Sequence, residues 1–290
     1  MDIDSIRTFL SLAETGSFSR TAEALHVTQP AVSKRIAALE HLLDCALFDR
    51  LGKEVHLTQA GKALLPSYQR VMAELDESRR IISSMKTEVR GQLRFGTSHH
   101  IGLHRLPPVL RQYSELHPDV ELDIQFMDSE QAATLILKGS IELALITLPG
   151  HVAEPLATQP IWTDPMYCVC APEHPLAKQK TVSRRELKQH GVILQASNTH
   201  TRNIVEKALQ LGTQNRVVME SNYLETIKAM IQNNLGWGVL PESMIDKSLV
   251  KLSVNKSKMK RELGVIYHAA RTLSNPASAL SDLLQQHTSS

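Results

Sequence analysis

SFSRTAEALHVTQPAVSKRIAALE, running from Ser17 to Glu40, has the grammar of two helices meeting at a tight turn. Ser19 can cap a short first helix that ends at Leu25, because its hydroxyl can accept a bond from a free first-turn N–H. His26-Val27-Thr28 is the turn. Thr28 can cap a longer helix reaching about Leu43, with Pro30 in its first turn, where a missing N–H is tolerated. At helical spacing Val32, Ile36, Leu39 and Leu43 fall on one face. Pro30, Ala31, Lys34, Ala37 and Ala38 point the other way, with Ser33 on the flank. An outer face built of small residues around one cation can sit deep in a major groove. Lys34 can reach a guanine edge or a phosphate, and Gln29 can pair with adenine. The methyl groups of Thr28 or Ala31 can meet a thymine methyl, and Arg35 is better placed for a backbone phosphate. The same helix pair also occurs as a bundle core with a solvated face, so the motif by itself leaves both readings open.

The flanks extend this unit. Ile3 to Glu14 puts Ile6, Phe9, Leu10 and Ala13 on one stripe, and Gly16 can end that helix. Leu47 to Thr58 reads as two short strands around Leu51-Gly52-Lys53, with Arg50 and Lys53 positioned to hold flanking phosphates. Beyond it Leu57, Gly61, Leu64, Tyr68, Val71, Leu75, Ser78, Ile82, Met85 and Val89 recur at alternating steps of four and three. That is a coiled-coil seam, with Pro66 expected to kink the helix early. Its stripe is too narrow to bury itself alone. Pairing with a second copy of the chain is the favoured reading, over packing on the chain's own second half.

The remaining residues change period near Arg90-Gly91. Strands at Gln92–Thr97, Val120–Phe126 and Leu143–Thr147 alternate with helices at Pro107–His117 and Ser129–Lys138, which implies a parallel sheet. A second set runs from Met166 to Val265, with helices near Thr201–Leu211 and Leu224–Asn234. A tail helix is expected over Asn275–Gln286. The run from Lys256 to Arg261 reads as a solvated basic loop.

Composition narrows the function classes. The 290 residues suit two or three domains. With 42% hydrophobic and 21% charged residues the chain is an ordinary globular one. The longest apolar run, Met166 to Ala171, is far short of a membrane span. Asp2 and Asp4 stand where a secretory signal would be basic and then apolar, so a cytoplasmic location is expected. Three cysteines fit a reducing compartment, and Cys168 with Cys170 read as small buried residues on one strand face. The formal charge is +2, and residues 1–90 carry 12 basic and 12 acidic side chains, so bulk charge does not mark a nucleic-acid binder.

Taken together, Phe9, Ala13, Gly16-Ser17-Phe18, Ala22, Ala24-Leu25, Thr28-Gln29-Pro30-Ala31-Val32-Ser33, Ile36, Leu39-Glu40, Leu47-Phe48-Asp49-Arg50 and Leu57-Thr58-Gln59-Ala60-Gly61 resemble the N-terminal domain of LysR-type transcriptional regulators. GTSHHIGLHRLPPVL from Gly96 and NLGWGVLP from Asn234 extend the resemblance over essentially the whole chain. The resemblance implies an α+β protein: a winged helix-turn-helix over 1–58, a linker and dimerisation helix over 59–90, and an effector-binding domain over 91–290. The last would resemble periplasmic binding proteins, with subdomain I at about 91–161 and 267–290 and subdomain II at about 162–266. It further implies a homo-oligomer, dimer to tetramer, on an interrupted inverted repeat of double-stranded DNA, working with RNA polymerase and switched by a small molecule. Ser19, Thr28, Gln29, Pro30, Ala31, Ser33, Lys34, Arg35, Arg50 and Lys53 are the candidate DNA contacts.

In such a fold the effector cleft lies where strand ends meet helix N-termini, whose N–H groups and dipole favour an anion. The candidate ligands are the loop Thr97, Ser98, His99, His100 and the helix start Asn198, Thr199, His200, with Ser129 and Thr147 after neighbouring strands. A cationic His100 or His200 would add a pH dependence. Arg202 is a further source of charge, and Ser129 and Thr199 are also ordinary caps. A small carboxylate is the expected effector. No cofactor is expected. His100 with His104 is the one histidine pair at i, i+4 near a third ligand, but it straddles a loop-to-helix transition, and metal is the less favoured reading. An enzyme or a plain binding protein with an accessory dimerisation domain is the competing class. No nucleophile elbow, phosphate loop or dinucleotide fingerprint supports the former, and the first ninety residues are left unexplained by the latter.

Overall fold

The structure, a computed structural model, describes residues 2–51, 54–84, 88–212, 216–254 and 258–289. Two compact units emerge, one through Ile82 and one holding most of the remainder.

In the N-terminal unit α1 (Ile3–Thr15) begins at Asp2, whose carboxylate accepts from Ser5 N–H at 2.7 Å, and ends at Gly16 with φ +61°. That left-handed stop is where glycine costs least. α2 (Phe18–Ala24) and α3 (Gln29–Leu43) follow. The cap of α2 is Ser17, extended at φ −152° and accepting from Arg20 N–H; Ser19 lies inside the first turn and is exposed, so it caps nothing. Thr28 holds the cap position of α3, but its side chain makes no capping bond. Val32, Ile36 and Leu39 are buried as expected. Leu43 is not, because Asp44 turns the chain left-handed at φ +50° and leaves the last turn in solvent.

β1 (Phe48–Leu51) and β2 (Glu54–Leu57) form the antiparallel wing. Glu40, at the end of α3, accepts from Leu47 and Phe48 N–H at 2.7 and 3.2 Å and so fixes where the wing departs. Phe9 is fully buried, with the Phe48 and Tyr68 rings each 5.3 Å away. α4 (Gln59–Ser84) is helical straight through Pro66. Of its expected seam, Gly61 and Tyr68 are buried in this core, while Val71 and Ile82 are 42% and 62% exposed; Met85 lies outside the described residues.

In the second unit, β3 (Gly91–Thr97), α5 (His99–His104), α6 (Leu106–Leu116), β4 (Val120–Phe126), α7 (Ser129–Lys138) and β5 (Leu143–Thr147) make the first half. A long strand, β6 (Leu156–Cys170), leads into α8 (Arg184–Leu187), β7 (Val192–Leu194), α9 (His200–Leu209), β8 (Val217–Glu220), α10 (Leu224–Gln232), β9 (Trp237–Pro241) and β10 (Val250–Lys251). β11 (Met259–His268) returns, and α11 (Asn275–Gln286) closes the chain onto the first half. The described residues form one nine-stranded sheet, ordered β4-β3-β5-β11-β6-β9-β7-β8 with β10 beside β6. β3 is parallel to β4 and β5, and β7 is parallel to β8 and β9. β6 and β11 are antiparallel and belong to both halves.

Helices cover both faces, so the inner strands are buried on both sides. Along β5, Leu143 and Leu145 enter one cluster with Tyr113 and Leu280, while Ala144 and Ile146 enter another with Ile136 and Met127. Cys168 and Cys170 share a core face with Trp237 and Val239, and burial raises their thiol pKa values to about 12 and 11. No helix among the described residues is long and apolar enough to cross a membrane.

Gly61 shows how tightly the wing is seated. A Cβ there would press into the Leu47 carbonyl and Leu57 Cδ2. Gly61→Ala should therefore destabilise the protein by about 1–3 kcal/mol through overpacking, although alanine is the better helix former. A urea melt followed by circular dichroism checks this, and an unchanged or raised midpoint would refute it.

Candidate functional site

Two surfaces carry the candidate residues. On the outer side of α3, Thr28, Gln29, Pro30 and Lys34 are exposed, and Ala31 and Ser33 are half-buried. Gln29 Nε2 lies 3.5 Å from Ser33 Oγ, so the two side chains share one edge of the face. Ala37 and Ala38 are exposed beside them. Arg35 departs from expectation. Its guanidinium turns back to α1, reaching Asp4 Oδ2 at 3.3 Å and Thr8 Oγ1 at 3.4 Å, and is not extended toward solvent. Arg50 lies on β1, its side chain outside the described set, and Lys53 lies outside the described residues altogether.

The second surface is a small cavity of about 50 Å³ between the two halves of the C-terminal unit. That is room for roughly one or two waters. Ser98, His99, His100, Ser129, Thr147 and Thr199 line it, as the sequence suggested; Thr97, Asn198 and His200 do not. Thr97 is fully buried, and Asn198 is exposed. The expected loop at Thr97–Ile101 is a helix start, since α5 already begins at His99, and His100 is buried in its first turn. Ser129 does not cap; its Oγ accepts from Thr147 N–H at 3.2 Å and ties α7 to the end of β5. Thr199 does cap α9, accepting from Arg202 N–H and donating to the Ala196 carbonyl, which occupies its hydroxyl.

The strongest charges come from residues the sequence reading passed over. Arg261 is 4% exposed and donates through Nε and Nη2 to Asp164 Oδ2 at 2.9 and 2.7 Å. Among the described residues its Nη1 reaches only Thr201 Oγ1, at 3.4 Å, so donors remain for a ligand. Arg261 closes the run read as a solvated loop. In fact Met259 and Arg261 point inward and Lys260 outward, the period of two of a strand; Lys256 and Ser257 lie outside the described residues. Beside it the Gln195 side chain is buried with both amide atoms unpartnered, and so are both ring nitrogens of His100.

Contacts of the chain itself close the cleft. His200 N–H, at the start of α9, donates to Glu130 Oε1 of α7 at 2.7 Å. Asn222 donates to Asp128 at 2.9 Å. His104 Nε2 and Glu225 Oε1 are 2.9 Å apart. The helix start expected to greet an external anion thus already holds an internal carboxylate. The His100 ring is held neutral: burial first, then Arg261, His104 and Arg105, push its pKa down to about 2. Arg202 is buried and committed to Glu206, Glu220 and the Gln195 carbonyl, so it is neither a surface residue nor a free charge. His100 and His104 both sit on α5, one turn apart, and do not straddle a loop.

Comparisons with known proteins agree with this layout. The family model described as "Bacterial regulatory helix-turn-helix protein, lysR family" matches residues 3–62, and "LysR substrate binding domain" matches residues 86–289. A "Probable RuBisCO transcriptional regulator" of Trichormus variabilis is 30% identical over 96% of this chain and 86% of its own. An "Uncharacterized HTH-type transcriptional regulator in ibpB-leuC intergenic region" of Azotobacter vinelandii is 58% identical over 37% of this chain and 75% of its own. Among solved structures, a full-length OxyR variant from Pseudomonas aeruginosa superposes with a TM-score of 0.75 at 24% identity, covering 98% of this chain and 95% of that one. CbnR complexed with its target DNA superposes at 0.68 and 17% identity, with both chains fully covered.

The buried ion pair yields a direct test. Asp164→Asn leaves Arg261 as a buried charge with no carboxylate partner and should cost about 3–5 kcal/mol. Replacing both partners by apolar residues, Asp164→Leu with Arg261→Met, should recover most of that loss. Denaturant melts of the two variants decide it, and equal losses in both would refute the pairing energetics.

Proposed function

The chain belongs to the LysR family of DNA-binding transcriptional regulators, and from that premise we propose how its parts divide the work. Residues 1–58 read DNA, residues 59–90 pair two chains, and residues 91–290 bind a small carboxylate that switches operator binding or promoter activation. The exposed small-residue face of α3, with Lys34 at its middle, supports base reading by Thr28, Gln29, Pro30, Ala31, Ser33 and Lys34. Ser19, exposed in α2, together with Arg50 and Lys53, would hold phosphates. Arg35 would do so only by giving up Asp4. Val71, Ile81 and Ile82, exposed on α4, support pairing of two chains into a dimer and on to a tetramer. Work on a promoter beside RNA polymerase, in the cytoplasm, completes the reading. Control of branched-chain amino-acid genes is its finest element, in keeping with the leuC neighbourhood in the Azotobacter relative's name.

One observation carries the effector assignment: a buried arginine with donors to spare faces an unsatisfied Gln195 amide across a cavity between two subdomains. A carboxylate oxygen on Arg261 would make a charge-assisted bond at a buried guanidinium, among the strongest available. Ser98 and Thr147 line the same space and offer hydroxyls; His99 and His100 would contribute their rings, and Thr199 its cap. The cavity is only about 50 Å³, and the Glu130–His200 and Asp128–Asn222 contacts bridge the halves beside it, so room for a larger ligand requires those contacts to part. This links occupancy to the angle between the halves, which is the element a ligand can bias.

Gln195 separates binding from folding. Removing an unsatisfied buried amide costs little stability, whereas losing its bond to a ligand costs about 1–3 kcal/mol. Gln195→Met should melt at or above the wild-type temperature yet bind carboxylates about 5- to 150-fold more weakly by calorimetry. Undiminished affinity in the variant would remove Gln195 and the cavity from the mechanism.

The DNA face has its own check. Lys34→Ala should cost about 1–3 kcal/mol on an operator and far less on scrambled duplex. Binding titrations on both duplexes at two salt concentrations measure this. Equal losses on both would make Lys34 a phosphate contact only.

A further inference from the structure

His100 and His104 stand one turn apart on α5, with ring centroids 4.9 Å apart. At that spacing two side chains share a helix face. Glu225, in the first turn of α10, comes to them from the other half of the domain. One nitrogen of each histidine and one oxygen of Glu225 all lie within 4.8 Å of one another. His100 is 5% exposed, and neither of its nitrogens has a hydrogen-bond partner; the Asp164 carboxylate is 3.6 Å from Nε2. A buried polar group left unpaired is destabilising, so a native fold that keeps one has a use for it.

We propose that His100, His104 and Glu225 form a site for a divalent metal of the zinc class that ties the two halves of the C-terminal unit together. Two imidazoles and one carboxylate are a zinc donor set, and three protein ligands leave a position open. Bonds of about 2.0–2.1 Å in a tetrahedron set donors roughly 3.3 Å apart. His104 and Glu225 are already nearer than that, so the adjustment falls on His100 and is roughly 1.5 Å at most. With the metal on His100 Nδ1, Nε2 is left to Asp164, 3.6 Å away, as the carboxylate that orients the ring, the usual support of a metal-bound histidine. Arg105 and Arg261 are close, but both are directed at Asp164. With Glu225 the four charges cancel, so the metal adds positive charge and favours an anion or water at its open position. The inference rests neither on DNA binding nor on the carboxylate reading, since it is measured by metal binding alone.

The test uses the full chain, stripped with a chelator and titrated with zinc chloride in competition with a chromophoric zinc indicator. We expect one zinc ion per chain, bound with Kd below about 1 µM, and a rise in melting temperature. His104 and Glu225 are 36% and 38% exposed, so His104→Ala and Glu225→Gln should fold as well as the parent. Each should lower affinity by at least about tenfold and lose the melting shift. Cobalt(II) should give an intense visible ligand-field spectrum in the parent and only the weak spectrum of the hydrated ion in both variants. Zinc binding unchanged in either variant, or a parent chain with only the hydrated-ion cobalt spectrum, would overturn the site.

Discussion

Arg261 and Asp164 sit directly opposite one another in the antiparallel register of β11 and β6, and both are buried. Neither charge could be buried alone, so this one pair pins the register of the strands that both halves of the domain share. A slip by one residue would turn Arg261 to solvent and Lys260 inward. The rest of the C-terminal unit is arranged around this hinge. α5 lays His100, and Arg105 at its end, against Asp164, and α9 offers Thr201 to Arg261. The cavity forms where these elements meet, and its one strong cation is positioned by the strand pairing beneath it.

The cleft is closed by the chain's own polar groups, yet incompletely. Glu130 fills the start of α9 and Asp128 holds Asn222, while Gln195 and His100 keep four polar atoms without partners. Such atoms weaken the closed state until something binds them. A binding site and a switch have the same requirement here: a state stable enough to form and short of full satisfaction without its ligand.

The N-terminal unit was legible because its signals are local. The spacing of Val32, Ile36 and Leu39 and the Gly16 stop lie within a few turns of one another, and the structure keeps them. Errors came where two nearby residues compete, as Ser17 took the cap that Ser19 could have made, because only Ser17 is extended. The effector domain's strand and helix order was legible by period, and six of nine candidate cleft residues line the cavity. Its electrostatics were not. Asp164 and Arg261 are 97 residues apart, and Glu130 lies 70 from His200. A basic run hid the inward alternation of Met259 and Arg261, the one local cue to the buried arginine. α5 escaped notice because it is six residues long and contains Gly102, which packs on Phe126.

The central claim is that Arg261, held by Asp164 on the shared strands, is the seat of a carboxylate effector. The most direct measurement is a crystal structure of the chain with a small carboxylate that raises its melting temperature. The account predicts a carboxylate oxygen within hydrogen-bond distance of Arg261 Nη1 and of the Gln195 amide, with the Arg261–Asp164 pair intact. A ligand bound elsewhere, with Arg261 still serving Asp164 and Thr201 alone, would contradict it.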